Sequence, residues 1–154
     1  MKLTGVEIRL ARPGDVSALV ALLTLLFSQE AEFVPDPARQ ERGLKLILSD
    51  SSRGDILVAE TRGQLVGMVS LLPLVSTALG APTAILEDMI VKPEFRGQGI
   101  GQSLIKAAKT HALQKGYARM TLLTDGDNAK AQVFYEALGF TRSSMVPFRL
   151  LLSS

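Results

Sequence analysis

Arg96-Gly97-Gln98-Gly99-Ile100-Gly101 lies between a strand-like run that ends near Val91 and a stretch of helical spacing. Three alternating glycines let a main chain approach a ligand closely and turn successive N–H groups toward one point. The helix behind them adds roughly half a positive charge at its N-terminus. Such a turn is a cradle for an anion, a pyrophosphate above all. No Gly-Lys-Ser/Thr follows it, and its glycine spacing differs from that of the dinucleotide fingerprint. Phosphate hydrolysis and hydride transfer therefore lose their main signatures together. By itself the stretch reads equally as a glycine-rich turn, so its surroundings decide.

Downstream, Leu104, Ala107, Ala108 and Ala112 recur at helical spacing within Gly101 to Lys115, and Gly116 stops the pattern. Arg119 to Thr124 reads as a strand. Ala129 to Leu138 reads as a helix capped by Asp127 or Asn128 and stopped by Gly139, and Val146 to Leu152 as a final strand. Upstream, Ala84 to Val91 is strand-like, and Ile56 to Glu60 joins Gln64 to Leu72 through a hairpin at Arg62 and Gly63. Val6 to Arg9 opens the chain as a short strand, Pro13-Gly14-Asp15 signals a helix start, and Ala38 to Leu48 supplies a second helix. An antiparallel meander thus precedes alternating strands and helices, an α/β (α+β) order.

A chain of 154 residues, 47% hydrophobic and 21% charged, is long enough for one core, which predicts a single domain over 1–154. Lys and Arg number 17 against 15 Asp and Glu, dispersed rather than in runs, so no nucleic-acid partner is expected. The absence of cysteine excludes a disulfide framework, a thiolate metal site and a thiol nucleophile, and it fits a reducing compartment, here taken as cytoplasmic. The apolar run Val16 to Phe27 follows Lys2, Arg9 and Arg12 as a secretion signal would. It is too short to span a bilayer, and Gln29, Glu30 and Glu32 stand where small cleavage-site residues belong. A buried helix, with no membrane partner, is the expectation.

Arg96, Gly99 and Gly101 match in register the cofactor signature of the GNAT superfamily of N-acetyltransferases: Arg or Gln, two residues, Gly, one residue, then Gly or Ala. Leu86 to Phe95 resembles the strand and turn before that signature. Asn128 followed by Phe134-Tyr135-Glu136-Ala137-Leu138-Gly139-Phe140 resembles the family's second cofactor-side segment. The resemblance implies a mixed central sheet of six to seven strands with a splayed pair, flanked by about four helices, and a domain that uses acetyl-CoA without a metal.

The resemblance also implies site residues. Met89-Ile90-Val91 would carry the pantetheine arm, with the main chain of Met89 and Val91 pairing with it as an added strand would. Arg96 and the run Gly97, Gln98, Gly99, Ile100, Gly101 and Gln102 would hold the pyrophosphate. Asn128 would hydrogen-bond the arm, although it equally reads as a helix cap, and Phe134 would line an apolar wall or pack in a helix core. Tyr135 would donate a proton to the leaving CoA thiolate. An alkylammonium with a pKa of roughly 10.4 must lose its proton before it attacks. Glu87 and Asp88 are adjacent, so on a regular strand only one faces the acetyl group. Glu87, alternating with Met89 and Val91, is the preferred base. His111 lies roughly 15 Å along its helix from the glycine turn and reads as a helix-face residue.

Glu30, Glu32, Phe33, Pro35 and Asp36, with Glu87 and Asp88, suit a cationic amine; a solvated acidic loop is the plainer reading. The expected function is direct transfer of acetyl from acetyl-CoA to a primary amine on a small molecule. The alternative is a non-catalytic acyl-CoA-binding regulatory module. The chain after Phe140 is short for this family, so a second subunit, in a homodimer, would complete the acceptor pocket.

Overall fold

The computed structural model describes residues 5–153. In chain order the elements are β1 (Glu7–Leu10), α1 (Val16–Gln29), α2 (Pro37–Leu48), β2 (Asp55–Thr61), β3 (Gln64–Ser76), β4 (Ala81–Val91), α3 (Ile100–Gln114), β5 (Met120–Leu122) and α4 (Ala129–Ala137). Two compact units form. One runs to Leu123 and carries β1 to β5 with α1 to α3; the other begins at Thr124 and carries α4.

In the first unit the strands lie in the order β1-β2-β3-β4-β5. The first three pairings are antiparallel and β4 with β5 is parallel. The apolar run from Val16 becomes α1, whose Leu19, Leu22, Leu23 and Leu26 are buried with Leu44 of α2. These side chains close over Ile56, Val58, Met68 and Ile90 of the sheet in one cluster. Asp36 starts α2 by accepting the Arg39 N–H at 3.2 Å, as an N-cap carboxylate should. On the sheet's other face α3 packs so closely that a Cβ at Gly67 would come within 3.0 Å of Leu104 Cδ1 and of the Ile90 carbonyl oxygen. Arg9 ties β1 to the start of α1 and to β2. Its guanidinium donates to both Asp15 carboxylate oxygens, at 2.8 and 3.1 Å, and to Glu60 at 3.0 Å, and it holds Asp15 below the usual carboxylate range.

The described residues form five strands, not the expected six to seven. Val146 to Leu152 adopts no strand: Val146 is 76% exposed and Phe148 94%, and no ladder partner takes up their main chain. β-propensity without a paired neighbour leaves an apolar run irregular. β3 runs past Pro73, which breaks the strand pattern in sequence, because β2 covers it only as far as Leu71. Beyond that point β3 is an edge strand, where proline is tolerated.

Candidate active site

β4 carries an irregularity at its centre. Ser70 of β3 pairs with Glu87 and Met68 pairs with Ile90, so two steps on β3 face three on β4. This is a β-bulge, with Asp88 in the left-handed region at φ +55°. A non-glycine residue is uncommon there, and Asp is among those that tolerate it best. The extra residue reverses the alternation. Glu87 shares its face with Ile90, on the side covered by α1 and α2, rather than with Met89 and Val91 as unbroken alternation predicts. That correction removes the ground on which Glu87 was preferred over Asp88 as base.

Asp88 is half-buried, and its carboxyl is pushed up to about 7, first by burial, then by the charges of Glu87 and Glu30. Glu30 follows the last residue of α1, so the C-terminal end of that helix and the bulge bring three carboxyl groups into one field. The helix's own dipole is negative at that end and adds to it. Glu87 is exposed. Ser70, opposite Glu87, is fully buried, and its Oγ has no hydrogen-bond partner among the described residues.

The bulge also changes which main-chain groups face the far edge of β4. Ala84 donates its N–H toward the β5 side, to the Arg119 carbonyl at 2.9 Å. After the bulge Lys92 donates to Val66 O at 2.8 Å, so Lys92 and Ile90 direct their main-chain groups toward β3 while Met89 and Val91 direct theirs away from it. β5 pairs with β4 only from Ala84 to Leu86, so among the described residues that edge has no strand partner beside Met89 and Val91. Ile90 has its side chain in the core, so it supports this edge rather than lining it.

From Val91 the chain passes through a short turn, Pro93–Phe95, into the glycine stretch. Gly97 and Gly99 sit at φ +75° and +83°, where a side chain would be strained. A Cβ on Gly97 would meet no protein atom within 4 Å. Gly99 is the N-cap of α3, and no side chain caps that helix, so its first N–H groups remain available to an anion. The side chain of Ile100 is buried, leaving its N–H as the group it can offer. Arg96 braces the turn, donating from Nε to Val91 O at 2.9 Å and from Nη2 to Gln29 Oε1 at 3.4 Å. A left-handed glycine turn, open space at Gly97 and an uncapped 15-residue helix fit the diphosphate of an acyl-CoA.

In the second unit Asn128 caps α4, accepting the Ala131 N–H at 3.1 Å. Phe134 and Phe140 each contact the Tyr135 ring edge-on, with centroids 5.1 and 5.7 Å away. Burial pushes the Tyr135 hydroxyl up to about 12, so it is protonated at neutral pH. In the first unit His111 of α3 has Nε2 2.7 Å from Asp55 Oδ2, and Lys115 Nζ lies 3.7 Å from the same oxygen. A cleft of about 90 Å³ beside Leu10, Ile47, Leu48 and Asp55 shares none of the site residues. It is far below the roughly 300–1,000 Å³ of an ordinary ligand pocket. Among the described residues no group of His, Asp and Glu is placed to hold a metal ion, and no helix is long and apolar enough to cross a membrane.

Sequence reading reached the glycine turn and offered Asn128 as a cap from residue types and spacing, and reached Tyr135 through the family resemblance. It missed Gln29, which braces Arg96, and the bulge itself, whose only trace in sequence is two adjacent acids inside an otherwise apolar strand.

Among known proteins, the model of the acetyltransferase (GNAT) family matches residues 19–140. The uncharacterized N-acetyltransferase YhfO of Bacillus subtilis (strain 168) is 35% identical over 137 residues, covering 87% of this chain and 89% of its own. The thialysine N-epsilon-acetyltransferase of Bos taurus is 48% identical over 54 residues, 35% of this chain and 32% of that protein. The crystal structure of a possible acetyltransferase from Clostridium difficile 630 superposes with a TM-score of 0.87 at 20% identity, over 97% of this chain and 99% of that one. With a match across most of its length, and with the mixed sheet, bulged strand and glycine turn already described, this chain belongs to the GNAT family of acetyltransferases.

Proposed function

We propose that the chain, acting as one catalytic domain over 1–154, moves the acetyl group of acetyl-CoA directly to a primary amine on a small molecule, with Asp88 rather than Glu87 as the base. The observation that carries this reading is the Asp88 carboxyl, raised to about 7 on a bulge that leads into the glycine turn. A general base works best when its pKa lies near the operating pH. When bound, acetyl-CoA supplies a thioester whose acetyl group passes to the amine while CoA leaves as a thiolate.

The roles of the chain's own residues follow from their chemistry. Gly97 to Gln102 offer N–H groups and the α3 dipole to the diphosphate, and the main chain of Met89 and Val91 pairs with the pantetheine arm. Asp88 takes the proton from the acceptor ammonium, and the fixed charges of Glu87 and Glu30 attract that cation before the transfer. Tyr135 donates its hydroxyl proton to the departing sulfur; Asn128 and Phe134 are assigned to the cofactor side. The chain contains no cysteine, so no thiol intermediate intervenes. A cytoplasmic location would suit such a chain.

The acid field favours an acceptor that is cationic before it reacts. A relative named for its action on thialysine, an amino acid with a side-chain amine, is in keeping with this. The test is release of free CoA from acetyl-CoA across polyamines, amino acids, aminoglycosides and peptides, with acetyl-CoA binding measured on the same sample. Release that depends on a cationic small amine is the expected result. Tight binding with no release for any acceptor would replace the enzyme by a regulatory acyl-CoA-binding module.

A further inference from the structure

Among the described residues, Ser70 is the one buried polar side chain left without a hydrogen-bond partner, and it stands beside the bulge. Its exposure is 0%. Ser70 pairs with Ile56 of β2 and Glu87 of β4 and lies two residues beyond Met68, so its side chain is on the face that α1 and α2 cover. Beside it in the sheet, Ile56, Met68 and Leu72 are apolar, and the buried residues that the two helices add to that cluster are leucines. Glu87, directly across the ladder, has the only polar side chain among these neighbours. Cross-strand partners have Cβ atoms roughly 4.5–5.5 Å apart, within reach of a glutamate.

A hydroxyl kept from water without a partner destabilises the fold, and alanine in its place would remove that cost. We propose that Ser70 is a positioning residue for the acceptor: when the amine binds, the Ser70 hydroxyl donates to the Glu87 carboxylate and holds that group toward the cation. The inference rests on the role given above to Glu87 as an attractor of the acceptor ammonium.

An ammonium that settles against Glu87 displaces water from the carboxylate, and each oxygen that loses water needs a donor. The ammonium serves one oxygen. The Ser70 hydroxyl is the side-chain donor that the sheet offers to the other, and in making that bond it gains the partner that the chain alone does not provide.

Steady-state kinetics at pH 8 on the parent, Ser70→Ala, Glu87→Ala and the double variant, with 1,4-diaminobutane and thialysine as cationic acceptors, test this together with thermal melts without acceptor. Ser70→Ala is expected to melt about 2–4 °C above the parent, because an unpaired polar atom leaves the core. Its acceptor KM is expected to rise about tenfold, with kcat within about twofold and acetyl-CoA affinity unchanged. Because the hydroxyl acts through Glu87, the same substitution changes KM by less than about twofold once residue 87 is alanine. A melting temperature no higher than the parent's would show that the hydroxyl already has a partner in the free protein, and would overturn the proposal. So would an unchanged KM in Ser70→Ala, or full additivity in the double variant. A parent that turns over neither amine, or Glu87→Ala with an unchanged KM, removes the underlying role of Glu87 and the proposal with it.

Discussion

The bulge at Asp88 and the turn at Gly97 and Gly99 lie on one path from β4 to α3, and both place residues in the left-handed region. They do so with opposite materials. The turn uses glycine, where the conformation is free of strain and the space beside Gly97 is open. The bulge uses an aspartate, in a conformation that costs free energy, and then buries its carboxyl beside two other acids. A glycine at position 88 would bend the strand more easily. On the proposed function, the turn lets a ligand approach main-chain N–H groups and the bulge holds a carboxyl group.

The sharpest way to break that contrast is Asp88→Asn, which keeps the left-handed preference and removes the charge. If the bulge holds a base, kcat/KM for the acceptor falls by about 10²- to 10⁴-fold while acetyl-CoA binding is retained, as steady-state kinetics and calorimetry would show. The same variant carries a stability signature. The folded carboxyl titrates at about 7, above its ordinary 3.8, so it costs nothing below pH 3.8, where both states are protonated. The cost grows as pH rises toward 7 and is complete above it. Asp88→Asn is therefore more stable than the parent at pH 8, on the order of 2 kcal/mol after allowing for relaxation around the buried charge, and equal to it near pH 3.5. Thermal melts at the two pH values check the sign.

Tyr135→Phe should lower kcat roughly ten- to a hundredfold and leave acetyl-CoA affinity unchanged, because the ring stays and only the proton donor goes. Gly97→Ala probes the other half of the contrast. Its Cβ meets no protein atom, so the fold loses about 1–2 kcal/mol through the backbone alone. The acetyl-CoA KM rises roughly tenfold because the new methyl stands where the ligand approaches. An unchanged KM would show that the open space at Gly97 is not used.

Much of this was legible in the sequence, for definite reasons. Gly97 and Gly99 reveal a turn because few other residues adopt its backbone, and Asn128 declares a cap because its side-chain oxygen suits one. The helices followed from apolar spacing. The bulge did not, because period-2 reasoning assumes an unbroken register, and two adjacent acids in an apolar strand do not say that one of them is an extra residue. The strand expected over Val146 to Leu152 failed for a related reason. Its residues favour pleated structure, but a strand is defined by its partner, and sequence spacing does not supply one.

The most direct test of the account is the pH dependence of kcat/KM for the acceptor in the parent protein, Glu87→Gln and Asp88→Asn. The account predicts an acidic limb near pH 7 in the parent. In Glu87→Gln the limb moves to lower pH, because one of the charges that raises Asp88 is gone, and in Asp88→Asn it is absent. A limb that persists unchanged in Asp88→Asn would contradict the assignment of the base and with it the purpose given to the bulge.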